Sequence, residues 1–307
     1  MTADSPNPVI SVRGLSKRYG ATRAVNDLSF EVSKGSIFGL LGTNGAGKTS
    51  TFKCLLGLAR PNVGEVFFNG RPLAPEMFES MSYVPEQPAL YEGMTGQEHL
   101  DCARHAFRNY DVATAKRLVD LFGFDVRKKA KQLSKGQKSA LAITLAFAIR
   151  PEILVLDEPS AGLDPVHQRH VLDLMIDAAA GGGTVLFSSH QIGQVERAAD
   201  HVAIMHRGQA VLQGDVEQLR ADEKVIEATF DGSAPLIGGL ESDPHVRRVT
   251  RQGRLLRVYV TAGENGVASM VNSASPTSLR VMNQNLEDIF LAAVGDEAPA
   301  TQSMERG

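Results

Sequence analysis

The amino-acid sequence predicts an α/β protein: a mostly parallel sheet with flanking helices, followed by a small C-terminal α+β domain. Three observations carry that reading. Two short apolar runs, ILVLD (Ile153 to Asp157) and TVLFSS (Thr184 to Ser189), read as strands buried on both faces, as in a parallel sheet. Helical stretches separate them, the order of a layered α/β core. After about residue 221 the texture changes: EKVIEATF, RRVTRQGRLLRVYVTA and SLRVMN read as strands, interleaved with short helices and ending in NLEDIFLAAVG.

Residues 1–8 and 296–307 are polar tails containing Pro or Ala, expected to be disordered. Val9 to Val32 alternates well enough for two short strands, and VGEVFFNG (Val63 to Gly70) resembles another. SIFGLLG, a short apolar run, enters a glycine-rich loop, from which TSTFKCLLGLA continues at helical spacing. Between about 90 and 132, EHLDCARHAF and ATAKRLVDLFG read as helices, and SALAITLAFAI reads as a buried one. The main domain therefore spans 9–221 and the accessory α+β domain 222–295, with no internal repeat.

A chain of 307 residues suits one large domain or a main domain plus a smaller one. Hydrophobic residues at 43% and charged residues at 22% are ordinary for a soluble protein. A net charge of −3 gives no electrostatic footprint for nucleic acid. Cys54 and Cys102 offer neither a disulfide framework nor metal spacing, so a reducing compartment is the simpler reading. The start, MTADSPNP, lacks the basic and apolar regions of a signal peptide. The longest apolar run, Ala140 to Ile149, stops at Arg150-Pro151 and is too short to span a bilayer. Any link to a membrane must come through a partner. The basic run RKKAK (Arg127 to Lys131) reads as a solvated face.

GTNGAGKTS carries the first chemistry. Gly42, Gly45 and Gly47 let the backbone of Gly42, Thr43, Asn44, Gly45, Ala46, Gly47 and Ser50 wrap a polyphosphate with its amide N–H groups inward. Lys48 brings charge to the β- and γ-phosphates, and the Thr49 hydroxyl is placed for Mg²⁺. This is a P-loop in its required context, after a strand and opening a helix. ILVLDEPS supplies the second element. A buried strand ending in Asp157 puts a carboxylate at the carboxyl edge of the sheet, where it can hold Mg²⁺, and Glu158 is placed to orient or deprotonate a hydrolytic water. LSKGQ (Leu133, Ser134, Lys135, Gly136, Gln137) opens a helix and offers a second N-terminus suited to an anion. Which phosphate it would hold is open on these residues alone.

GTNGAGKT, LSKGQ, ILVLDEP and the SSH of Ser188 to His190, in this order, resemble the ATP-binding-cassette (ABC) ATPases over about residues 9–220. The resemblance implies a P-loop NTPase core with an antiparallel β subdomain and a helical subdomain at about 88–135. It implies that Tyr19 stacks on adenine, that Gln87 contacts Mg²⁺ or the attacking water, and that Asp164 is the D-loop aspartate. His190 would be the switch histidine on the γ-phosphate. It also answers the question of LSKGQ: in this family the signature loop acts in trans, with Ser134 and Gly136 closing over the γ-phosphate of a second subunit. Lys135 departs from the pattern, standing where Gly is most frequent. A single motif set implies a homodimer, or a pair with a similar subunit.

The expected function is an ATPase, with ATP and Mg²⁺, driving a separate membrane-spanning ABC permease from the cytoplasmic, inner face of the cell membrane. The extension ending in NLEDIFLAAVG is similar to that of bacterial drug-, antibiotic- or polysaccharide-type exporters, which implies export. The alternatives are a soluble ABC ATPase acting on ribosomes or nucleic acid, and a nucleotide sensor without hydrolysis. The first usually carries two cassettes or long coiled coils, which are lacking here. The second is disfavoured by Glu158 and His190. No nucleic-acid partner is expected.

Overall fold

The computed structural model describes residues 8–261 and 264–294, so the expected tails lie outside the described residues apart from Pro8. Strands β1 (Ile10–Tyr19) and β2 (Thr22–Val32) form an antiparallel hairpin, longer than the two short strands that the alternation suggests. The reason lies in the register, which shifts between Val12 and Leu15 and again between Leu15 and Lys17. Each irregularity swaps the face that a residue presents, so the period-2 pattern reads as broken.

β3 (Ile37–Gly42) is buried at every position and runs through the glycine loop into α1 (Lys48–Leu55). β4 (Val63–Phe68) and β5 (Arg71–Pro72) complete a four-stranded antiparallel sheet, ordered β2-β1-β4-β5. β6 (Met81–Val84) leads to α2 (Gly96–Ala106), α3 (Val112–Phe122) and α4 (Lys135–Ala148). Each of these helices has a sequence-encoded start: Thr95 with Glu98, Asp111, and Ser134 with Gln137 satisfy N-terminal N–H groups. β7 (Ile153–Asp157), α5 (Pro165–Ala180), β8 (Thr184–Ser189), α6 (Ile192–Ala198), β9 (His201–His206) and β10 (Gln209–Asp215) follow. The second sheet has the order β10-β9-β3-β8-β7-β6, with β3, β6, β7, β8 and β9 parallel.

The core lies between the two sheets around α1. Leu15, Leu28 and Phe30 meet Phe38, Leu40 and Phe52, all buried, and the Phe30 and Phe38 rings stack with centroids 5.0 Å apart. Each such side chain contributes about 1.5–3 kcal/mol on burial. That core fixes the carboxyl ends of β3, β7 and β8 side by side, where α/β proteins bind ligands.

The chain divides into two compact units at Gln213/Gly214, one helix earlier than the change of texture at 221 suggests. The second unit holds α7 (Val216–Asp222), β11 (Glu223–Thr229), β12 (Val246–Gln252), β13 (Leu255–Thr261), α8 (Glu264–Asn272), β14 (Ser278–Asn283) and α9 (Leu286–Val294). α7 belongs here because it packs on β11, β14 and α9. The antiparallel sheet runs β12-β13-β11-β14, and Ile226, Leu256, Val258, Val267 and Val271 form its own core.

Candidate nucleotide site

Glycine is required at two points of the loop because backbone approaches there. A Cβ on Gly42 would lie 2.6 Å from the Met205 carbonyl oxygen, and one on Gly47 would lie 2.3 Å from that of Ala24. Gly47 also adopts φ +107°, and Gly45 φ +81°, the left-handed region that side chains resist. Ala46 is buried, Asn44 exposed, and Thr43, Thr49 and Ser50 half-buried. The first turn of α1 contains no acidic residue, so its N-terminal N–H groups keep their positive field. Lys48 is buried; its ammonium donates to the carbonyls of Gly42 at 2.7 Å and Thr43 at 3.3 Å.

The ends of β7 and β8 supply the acidic half. Asp157 and Ser188 are register partners and both are fully buried. Ser188 Oγ donates to Asp157 Oδ1 at 2.6 Å and accepts the Glu158 N–H at 2.9 Å. Glu158 sits at φ +49°, a strained conformation for a side-chain-bearing residue. Its Oε1 lies 3.1 Å from Lys48 Nζ, and its Oε2 is 2.8 Å from His190 Nδ1. The structure therefore brings Lys48, Glu158 and His190 into one chain of charge-assisted contacts. Tyr83, on β6, points a phenol into the same region. Burial first, then the charges of Asp157 and Glu86, push its pKa well above the ordinary value.

Asp157 Oδ2 is buried with no hydrogen-bond partner among the described residues. A buried carboxylate oxygen is costly unless something positive meets it, and Mg²⁺ prefers hard oxygen donors. The Thr49 hydroxyl, half-buried at the start of α1, makes no hydrogen bond among the described residues either. The residues present thus fit a magnesium ion.

The other sequence candidates lie apart from this chain of contacts. Tyr19 ends β1 and is 46% exposed, and Lys17 Nζ stands over its ring at 4.8 Å from the centroid. Gln87 is exposed after β6 and makes no side-chain hydrogen bond among the described residues. Asp164 caps α5, accepting from Val166 N–H at 2.9 Å and His167 N–H at 3.1 Å. Those bonds, with that from the His167 ring, hold its carboxyl below the usual range. Leu133 is buried; Ser134 Oγ caps α4 by accepting the Gln137 N–H at 3.2 Å. Among the described residues, no hydrogen bond or ion pair joins Leu133–Gln137 to the glycine loop. A Cβ on Gly136 would lie 2.8 Å from the Gly162 carbonyl, and the Lys135 stem lies over Gly162. The signature turn and the D-loop turn are thus packed together. Sequence reasoning took His190 from SSH and missed Ser188. Two residues apart at a strand end, both fall on one side, the only signal available.

Comparison with known proteins places the chain in a family. The family model described as ABC transporter matches residues 25–161. The bacitracin transport ATP-binding protein BcrA of Enterococcus faecalis is 32% identical over 94% of this chain and 96% of its own length. The Nod factor export ATP-binding protein I of Ralstonia nicotianae is also 32% identical, over 94% of this chain and 95% of its own. A solved ATP-binding subunit of an ABC transporter superposes with a TM-score of 0.63 at 33% identity, over 69% of this chain and 92% of that one. Likeness sustained along nearly the full length of both chains shows that this one belongs to the ABC transporter family, as an ATP-binding and ATP-hydrolysing subunit.

Proposed function

We propose that two copies of this chain, or this chain and a similar subunit, close head to tail over ATP and Mg²⁺ and drive a separate membrane-spanning permease in the export direction. The observation that carries the reading is the start of α4: an N-terminus suited to an anion that makes no hydrogen bond or ion pair with its own glycine loop. A second copy supplies the phosphate it lacks. Transport is supported by the relative named for bacitracin transport, and export by the one named for Nod factor export. No helix of the described residues is long and apolar enough to cross a membrane; in this reading the chain sits on the inner face through the permease. An apolar groove of about 760 Å³, lined by Leu58, Tyr91, Met94, Phe107 and Leu145, supports docking of a permease helix.

In this reading the P-loop amides and Lys48 hold the β- and γ-phosphates, and Tyr19 stacks on adenine. Asp157 and Thr49, with Gln87, hold Mg²⁺, which when bound neutralises charge on the phosphate oxygens. Glu158 takes a proton from the water whose oxygen bonds to the γ-phosphorus as the β–γ bridging bond breaks, and His190 orients Glu158. Ser134 and Gly136 of the partner subunit close the γ-phosphate from the far side, with the two D-loops, Asp164 included, at the seam. Closure on ATP and reopening after hydrolysis bias the permease through its different affinity for the two states.

The test is affinity purification of the tagged chain from detergent-solubilised membranes. A multi-span membrane protein should co-purify in stoichiometric amount and stimulate ATP turnover. Recovery on ribosomes or nucleic acid, with no membrane protein, would overturn the transporter reading.

A further inference from the structure

We infer that Ser188 is a positioning residue for hydrolysis: its one hydroxyl sets both consecutive carboxylates, Asp157 for the metal and Glu158 for the water. The proton directions are fixed by elementary bookkeeping. The Glu158 N–H can only donate, so at 2.9 Å the Ser188 oxygen accepts there. The Ser188 proton is then free for Asp157 Oδ1, which accepts it at 2.6 Å. Asp157 is thereby held as an acceptor with one oxygen engaged and Oδ2 left without a partner among the described residues. A carboxylate gripped at one oxygen presents the other in a defined direction.

The same hydroxyl pins the backbone where Glu158 turns through φ +49°. Residue 158 has no glycine-like freedom, so that turn persists only where neighbours hold it. His190, two residues beyond Ser188 at the same strand end, takes the other end of Glu158 through Oε2 at 2.8 Å. One strand end thus fixes the start and the tip of Glu158, while its register pairing with β7 aligns Ser188 with Asp157. Alanine at 188 would remove the only hydrogen-bond partner of the Asp157 carboxylate among the described residues and take from the Glu158 N–H its bond to the Ser188 oxygen. The inference rests on the proposed placement of Mg²⁺ at Asp157. Outer-shell groups that orient metal ligands contribute about 10–100-fold to metal affinity or activity.

The test uses Mn²⁺ as the metal probe and a non-hydrolysable ATP analogue as the nucleotide, with the full chain. Metal affinity of the nucleotide complex is read by electron paramagnetic resonance for wild type, Ser188→Ala and Asp157→Asn. Metal-free analogue binding and thermal unfolding are read in parallel. Ser188→Ala is expected to weaken Mn²⁺ binding by about 10–100-fold, with metal-free analogue binding within about twofold, and ATP turnover should fall at saturating Mg²⁺. If Ser188→Ala does not fold, Ser188→Thr and Ser188→Cys decide: the hydroxyl of Thr should keep the wild-type Mn²⁺ affinity and the weak donor of Cys should not. Equal Mn²⁺ affinity in wild type and Ser188→Ala, or in the Thr and Cys variants, overturns the inference, provided Asp157→Asn binds Mn²⁺ weakly. If Asp157→Asn also binds Mn²⁺ as wild type does, it is the placement of the metal at Asp157 that fails, and the inference falls with it.

Discussion

Lys48 Nζ and Glu158 Oε1 lie 3.1 Å apart, so the cation assigned to the nucleotide phosphates is neutralised by the carboxylate assigned to the attacking water. Both are nearly buried, and each is held from a second side as well, Lys48 by the Gly42 carbonyl at 2.7 Å and Glu158 by His190 at 2.8 Å. In the proposed reading ATP takes Lys48 from Glu158, which frees the carboxylate for the water. The two residues lie 110 positions apart in sequence, counted as 158 − 48, and only the adjacency of β3, β8 and β7 makes them neighbours.

Replacing Glu158 with Gln keeps an oxygen for Lys48 but removes the base and the internal counter-charge. Hydrolysis should fall by about 10²–10⁴-fold, the usual contribution of a general base. ATP binding should survive or tighten, and the closed dimer should accumulate with ATP and Mg²⁺. If His190 acts through its contact with Glu158 Oε2, His190→Ala should add little in the Glu158→Gln background while reducing turnover in the wild type. Steady-state turnover and size-exclusion chromatography of the four proteins check this. Wild-type turnover in Glu158→Gln would remove it from the catalytic role.

Lys48→Ala should abolish or strongly weaken ATP binding. What remains of the loop is backbone, and the two carbonyls that hold Lys48 now, Gly42 and Thr43, bring no positive charge to a phosphate. Titration with a fluorescent ATP analogue measures the loss. A folded Lys48→Ala protein with normal ATPase activity would defeat the P-loop assignment.

The two loop glycines should separate in an unfolding experiment. Gly47→Ala places a Cβ 2.3 Å from the Ala24 carbonyl at φ +107°, so backbone must move. Gly45→Ala meets nothing within 4 Å and has only the conformational cost of φ +81°, about 1–2 kcal/mol. Gly47→Ala should thus lower the urea midpoint of the nucleotide-binding unit more than Gly45→Ala does. Equal midpoints would show that the loop relaxes freely around residue 47.

How much of this was legible in the sequence depends on range. The glycine loop, the helix start at Ser134 and the buried runs of β7 and β8 are local, and the structure keeps them; the caps at Thr95 and Asp111 are local too, but only the structure picks them out. The hairpin of β1 and β2 was under-read because its bulges disrupt alternation. Ser188 was hidden for a different reason: a serine in a strand has no signature, and its meaning comes from a register partner 31 residues away. Tyr83 was equally silent, since burial of its hydroxyl is a property of the fold and not of YVPEQP.

Tyr83→Phe tests that burial. The hydroxyl has no partner among the described residues, and removing such an atom is neutral or stabilising by about 1–2 kcal/mol. The raised pKa adds a pH signature. Above pH 10.0, the ordinary phenol value, the unfolded chain releases this proton and the folded chain retains it. The folded state then binds more protons, so wild-type stability declines as pH rises through that window. Tyr83→Phe should lack this part of the decline. Identical alkaline unfolding curves for the two proteins would mean that the phenol is hydrated.

The signature turn provides the test of trans action. Ser134→Arg should bind ATP at its own loop yet hydrolyse little, because a bulky cation would stand at the partner's γ-phosphate. It also removes the cap on Gln137 N–H, which costs about 1 kcal/mol, so thermal unfolding must confirm that α4 persists. Lys48→Ala fails for the opposite reason, keeping a good signature turn with no nucleotide to close over. In a mixed dimer the one intact loop faces the one intact signature turn. Random pairing puts roughly half of the dimers in the mixed class with one good site of two, so up to about a quarter of wild-type activity should return. A signature acting within its own chain predicts no recovery, since each polypeptide would be broken by itself. Coupling between the two sites could also suppress recovery, so a linked dimer with one site disabled is the control. If that linked dimer is active and the mixture dimerises with ATP but stays inactive, Ser134 does not act on the partner's phosphate.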